Sequence, residues 1–269
     1  NVALVKQLVA TEACKHINLK NLTSLLIRSM ERDRTHLLLT KILGLDTTDN
    51  KALYKRLTKA KNKALKFAIE SKIWFYATLL IKNGANPFYD NHNFLHTMLL
   101  GKPNQWKIVK ALPDEEITPK KQLIQQYAQD MKQCLEAILQ HKGCTQSRKD
   151  VALQCAIGRQ NTLGVRGRCL AICLLLDHGA KPFIPEKKGG IFSKSVQPYN
   201  ALRHLAMGYT DMQDRITCMD LMLAHKECTP AHKNSALKVA VYMGVASTIG
   251  TSDTTITKKL IEAGAHPFA

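Results

Sequence analysis

Two histidine–cysteine pairs, His141-x-x-Cys144 and His225-x-x-Cys228, are the first residues in this chain whose types and spacing suggest chemistry. A zinc site needs four clustered donors, usually delivered as close Cys-x-x-Cys or His-x-x-x-His pairs. Each pair here ends one of two similar segments, CLEAILQHKGCT (134–145) and CMDLMLAHKECT (218–229), offset by 84 residues. Duplication of one structural unit accounts for both pairs, so no metal is expected. Cys169 and Cys173 lie four residues apart in an apolar helical stretch and read as core. A Cys–His nucleophilic pair could only be assembled in space, because no cysteine sits in a local protease signature. The sequence has no Gly-Lys-Ser/Thr phosphate loop, no GxSxG elbow and no HExxH. LGVRGR (163–168) has two glycines but no strand before it, and Asp114-Glu115-Glu116 reads as a solvated turn. No catalytic residue, cofactor or metal ligand is assigned. Eight cysteines without a Cys-x-x-Cys pair are too few for a disulfide framework in 269 residues. They indicate a reducing, cytoplasmic compartment.

Charge gives a clearer signal. Lys+Arg total 39 and Asp+Glu 21, a formal net charge of +18. The excess is +9 over residues 1–100 and +8 over 101–200, but only +1 over 201–269. A partner that reads charge should meet the first two-thirds of the chain. No apolar run approaches the roughly 18 residues that span a bilayer. The N-terminal residues lack the pattern of a secretory leader. The chain begins at Asn1, so it reads as a piece of a longer protein.

The elements that must position any site are repeated. LLIKNGANPF (79–88), LLLDHGAKPF (174–183) and LIEAGAHPF (260–268) each end an apolar helix with Gly-Ala-x-Pro-Phe. Gly84, Gly179 and Gly264 fit left-handed helix caps, and the proline stops the helix resuming. The two HxxC segments alternate with these, and HLLLTKILGLDTTD (36–49) is a weaker copy. A shorter apolar helix precedes each: NLTSLLIRSM (21–30), NFLHTMLLGK (93–102) and NALRHLAMGY (200–209) in one set, KALKFAIES (63–71), VALQCAIGR (151–159) and SALKVAVYM (235–243) in the other. Six helix pairs result, starting near residues 21, 63, 93, 151, 200 and 235, with a further helix expected at 3–14.

This pattern resembles ankyrin repeats over nearly the whole chain. The family's Leu-Leu, two variable residues, Gly-Ala ending is met at 79–85 and 174–180. Its Thr-Pro-Leu-His opening survives only as Leu95-His96 and Leu202, and the repeat lengths depart from about 33 residues. The two-type, irregular pattern is similar to the ankyrin-repeat effectors of intracellular bacterial pathogens. The resemblance implies an all-α fold: one domain over 1–269, a helical-hairpin solenoid of about six irregular repeats with insertions. It further implies an extended β-hairpin finger, a monomer, and a place in the host cytosol or nucleus if the chain is such an effector.

Three insertions depart from the repeat. The first, at 51–62, is helical and free of acidic residues, with Lys51, Lys55, Lys59 and Lys63 at four-residue steps. These form a ridge, either a solvated helix face or an anion-contacting stripe that binds a partner, while Leu53, Leu57 and Ala60 lie on other faces and can pack. The second, 101–129, carries Trp106, either an anchor on the solenoid or a protruding partner contact, and Pro103, Pro113 and Pro119 should break it into short pieces. The third, 184–199, places Gly189-Gly190 between amphipathic flanks, a hairpin turn with a basic tip. Lys187, Lys188, Phe192 and Lys194 make that tip the first contact candidate, since the family's fingers face their partners. The expected function is a non-catalytic protein-interaction module that meets an acidic protein surface. The alternatives are a nucleic-acid- or anionic-lipid-binding module, and a cysteine hydrolase with a site between insertions.

Overall fold

The computed structural model describes residues 19–32, 40, 43, 51–100, 117–158, 164–184, 199–207, 212–246 and 254–266. They are mostly helical. The chain divides into two compact units, residues 1–98 with 103–144, and residues 99–102 with 145–269.

The first unit is built on α1 (Leu19–Arg32), α2 (Lys51–Glu70), α3 (Trp74–Lys82) and α5 (Ile117–Gln140), and it includes residues 94–98 of α4 (Phe94–Leu100). Contacts pass from α1 to α2, from α2 to α3, and from α3 to α5. The sequence of α2 explains its central place. Leu53, Leu57, Ala60, Ala64, Leu65 and Ala68 recur at three- and four-residue steps and are all buried. Full burial of a leucine side chain contributes about 1.5–3 kcal/mol. The alanines at 60, 64 and 68 keep part of that face low. Trp74, buried at the start of α3, lies 6.2 Å from the Tyr127 ring of α5.

The second unit contains α6 (Gln146–Ile157), α7 (Gly164–Asp177), α8 (Ala201–Ala206), α9 (Met212–Ala224), α10 (Pro230–Ala246) and α11 (Thr254–Glu262). Its packing is serial. Helix α6 contacts α8, and α8 contacts α10, forming one layer; α7 contacts α9 in the other. Across the layers α6 pairs with α7, α8 with α9 and α10 with α11. Ala152, Leu153, Ala201, Leu202, Leu205, Ala236 and Leu237 are buried in the first layer. Between α7 and α8, β1 (Phe183–Ile184) pairs antiparallel with β2 (Tyr199–Asn200). This pair closes the base of the expected finger.

Gly84, Gly179 and Gly264 adopt φ of +86°, +82° and +88°. In each case the glycine N–H donates to the carbonyl three residues back and the next alanine N–H to the carbonyl five back. Those distances are 2.9 and 3.0 Å at Gly84, 2.8 and 2.8 Å at Gly179, and 2.8 and 2.9 Å at Gly264. This is the Schellman closure, which satisfies carbonyls left over at a helix end. Asn93 and Asn200 cap the opposite ends of α4 and α8. Their side-chain oxygens accept the backbone N–H of His96 at 3.4 Å and Arg203 at 3.3 Å.

One expectation needs correction. Pro119 does not break its segment, because it lies in the first turn of the continuous helix α5. The leading N–H groups of a helix have no intrahelical acceptor, so a proline there removes nothing. The 51–62 segment is helical, in keeping with its pattern, and runs without interruption into KALKFAIE as α2. The expected helix at 3–14, most of the 36–49 copy, residues 101–116 and the finger residues 185–198 lie outside the described residues.

Candidate interaction surface

A polar clamp, absent from the sequence reading, fixes the helix that presents the basic ridge. Lys61 Nζ donates to the Asn83 carbonyl at 3.0 Å, just before the Gly84 cap, and to the Leu43 carbonyl at 3.3 Å. The neighbouring Asn62 side-chain oxygen accepts the Asn86 N–H, just after the cap, at 2.7 Å. The same device occurs twice in the second unit. Lys149 Nζ reaches the His178 carbonyl at 2.9 Å while Asp150 accepts the Lys181 N–H at 2.8 Å. Lys233 Nζ reaches the Ala263 carbonyl at 2.9 Å while Asn234 accepts the His266 N–H at 2.7 Å. A cation bonds the carbonyl at the negative end of a helix, and an oxygen bonds the turn N–H beyond it. The sequence signal is Lys-Asn or Lys-Asp in the two positions directly before each KAL, VAL or SAL motif.

The HxxC segments are turn devices of a related kind. His141 Nδ1 accepts the Gly143 N–H at 3.0 Å, and the Cys144 N–H returns to the His141 carbonyl at 2.7 Å. His225 repeats this with Glu227 at 3.3 Å and Cys228 at 2.8 Å. The Phe of the preceding Pro-Phe packs near each ring, Phe88 with His141 at 5.9 Å and Phe183 with His225 at 6.2 Å. Burial and the Lys142 charge hold His141 below the ordinary histidine range, consistent with its accepting role. Among the described residues, no three His, Cys, Asp or Glu side chains gather where an ion could sit. No helix among them is long and apolar enough to cross a membrane.

With one face of α2 buried and Lys61–Asn62 engaged, the remaining face carries the charge. Lys51, Lys55, Lys59 and Lys63 are all exposed. Successive members advance about 6 Å along the axis and 40° past a full turn, so the ridge is about 18 Å long. Arg56, Lys61 and Lys66 bring the basic groups on α2 to seven, against one acid, Glu70, which pairs with Lys66 at 3.9 Å. Among the described residues no acidic side chain pairs with the four ridge lysines. Tyr54, 59% exposed, lies beside the ridge, three residues after Lys51.

A second exposed patch lies on α10. Val241 occupies the place in SALKVAV that Ile69 and Ile157 hold in the other two motifs. Those two are 1% and 2% exposed, whereas Val241 is 45% and its neighbour Tyr242 is 72% exposed. Of the residues singled out from sequence, Trp106, Lys187, Lys188, Phe192 and Lys194 lie outside the described residues.

The comparisons with known proteins add no relative: no family model, curated protein or solved structure matches the chain.

Proposed function

We propose that this chain is a non-catalytic protein-interaction module of irregular ankyrin-like helix pairs, and that the α2 ridge binds an acidic protein surface. The carrying observation is the ridge itself: four exposed lysines at helical spacing, without acidic partners among the described residues, on a helix held by its opposite face. The repeat reading draws support from the three glycine closures, the three lysine clamps and the serial contacts of α6, α8 and α10. A bacterial effector acting on host proteins in the cytosol or nucleus is the setting that the repeat resemblance suggests.

A cysteine hydrolase that uses Cys134, Cys155, Cys173 or Cys228 as its nucleophile is disfavoured on chemical grounds. A nucleophilic thiol needs its pKa lowered by a nearby cation or helix N-terminus. Burial instead pushes the Cys134, Cys155, Cys173 and Cys228 thiols up, Cys134 to about 12. The proposal is tested with a labelled acidic helical peptide carrying Glu at four-residue spacing. Fluorescence anisotropy should show binding to the wild-type chain at low salt. The combined Lys51→Glu, Lys55→Glu, Lys59→Glu and Lys63→Glu variant should lose at least tenfold in affinity with an unchanged circular-dichroism spectrum. Equal affinity of the two proteins would refute the ridge as the contact.

A further inference from the structure

We propose that Cys169 and Cys218 form a redox modification site, a dithiol that a low-molecular-weight disulfide converts into an intramolecular disulfide. The two Sγ atoms lie 3.5 Å apart, one on α7 and the other on α9, helices that pack directly on each other. A disulfide has its sulfurs about 2 Å apart, so closure asks for a movement of about 1.5 Å rather than a rearrangement of the helices.

The two thiols differ in access. Cys169 is half-buried, whereas Cys218 is fully buried. Cys169 is therefore the entry thiol and Cys218 the resolving one. The Cys169 thiolate attacks one sulfur of the reagent disulfide and expels one small thiolate, leaving a mixed disulfide. The Cys218 thiolate then attacks Cys169 Sγ and expels the second. Two protein thiols are oxidised by two electrons, the reagent is reduced to two thiols, and the two protons pass to them.

The duplicated segments contain their own control. Cys134 holds the place in CLEAILQHKGCT that Cys218 holds in CMDLMLAHKECT. It is fully buried against the Thr78 hydroxyl of α3, and its thiol is pushed up to about 12. Among the described residues, the second copy has a thiol across the helix interface and the first shows none. Cys173, one turn beyond Cys169, is a poorer entry point, since burial and the Asp177 charge both raise its pKa. In a reducing compartment such a bond forms transiently, when the poise shifts. It would then staple two helices separated by 49 positions in sequence.

The test uses the whole chain, glutathione disulfide as the probe, and intact-mass spectrometry with peptide mapping. The folded wild type should lose two hydrogens and yield a Cys169–Cys218 cross-linked peptide pair. Its melting temperature should rise by on the order of 10 °C and fall back on reduction. Cys218→Ser should stop at one glutathione on Cys169, and Cys169→Ser should leave Cys218 unmodified over the same time. Cys173→Ser should still form the bond. The proposal is overturned if glutathione accumulates on Cys173 or Cys228 while Cys169 and Cys218 stay reduced. It is equally overturned if the cross-link forms as fast in urea-unfolded chain, since the fold would then contribute nothing.

Discussion

One substitution made at two glycines should change stability in opposite directions. Gly179 ends α7 with φ of +82°, and a Cβ built there would meet nothing within 4 Å. The cost of Gly179→Ala is therefore purely local backbone strain, about 1 kcal/mol. Gly244 lies inside α10, outside the positive-φ set, and a Cβ there also meets nothing within 4 Å. Gly244→Ala should gain about 0.5–1 kcal/mol of helix stability. Both sites belong to the second unit, so the same unfolding transition reports both. With a urea slope of about 1–3 kcal/mol per molar, the midpoints should move by roughly 0.2–1 M, Gly179→Ala downward and Gly244→Ala upward. Because neither added methyl touches a neighbour, packing cannot produce the difference. Shifts of the same sign, or a neutral Gly179→Ala, would refute the assignment of Gly179 as a left-handed cap.

The clamps should be graded by burial. Asn62→Ala strands the Asn86 N–H behind a buried side chain and should cost about 1–3 kcal/mol, whereas Asn234→Ala, in an exposed bond, should cost clearly less in the same denaturation assay. Lys72 is buried beside the Trp74 ring, and burial lowers its pKa to about 8 from 10.5. The unfolded state therefore binds the proton more tightly between about pH 8 and 10.5, and this group's contribution to stability rises with pH across that window. Lys72→Met should accordingly be most stabilising relative to wild type below pH 8, with the advantage shrinking towards pH 10.5; a pH-independent difference would contradict a buried charge. Reversing the four ridge lysines to Glu should change the melting free energy by no more than about 0.5 kcal/mol, because all four are exposed and one repulsive i,i+4 series replaces another.

The glycine closures were legible because one residue type and one neighbour determine them: an apolar helix end followed by Gly-Ala admits few other geometries. The buried face of α2 was legible for a similar reason, since Leu53, Leu57 and Ala60 follow the helical period. The clamps were not read, because Lys61, Lys149 and Lys233 reach carbonyls 22, 29 and 30 residues downstream. Nothing local marks such partners, because each carbonyl lies on the turn that follows the next helix. Pro119 was misread as a breaker because its effect depends on where the helix begins. The Cys169–Cys218 contact arises only when α7 and α9 are side by side. At the candidate site, the lysine ridge followed from spacing alone, whereas Tyr54 became visible only once the buried face was known.

A competition titration puts the function most directly at risk. The wild-type chain is mixed at 50–200 mM salt with the acidic helical peptide, and a 20-base-pair DNA duplex or phosphatidylserine vesicles are added as competitors. The expected result is peptide binding that persists near 150 mM salt, that neither competitor displaces at equal charge, and that disappears on ridge reversal. Preferential capture of the duplex would contradict it, with a log–log salt slope of about −3.6 for four neutralised phosphates. Preferential capture of the vesicles would contradict it equally, and would move the ridge from protein recognition to lipid.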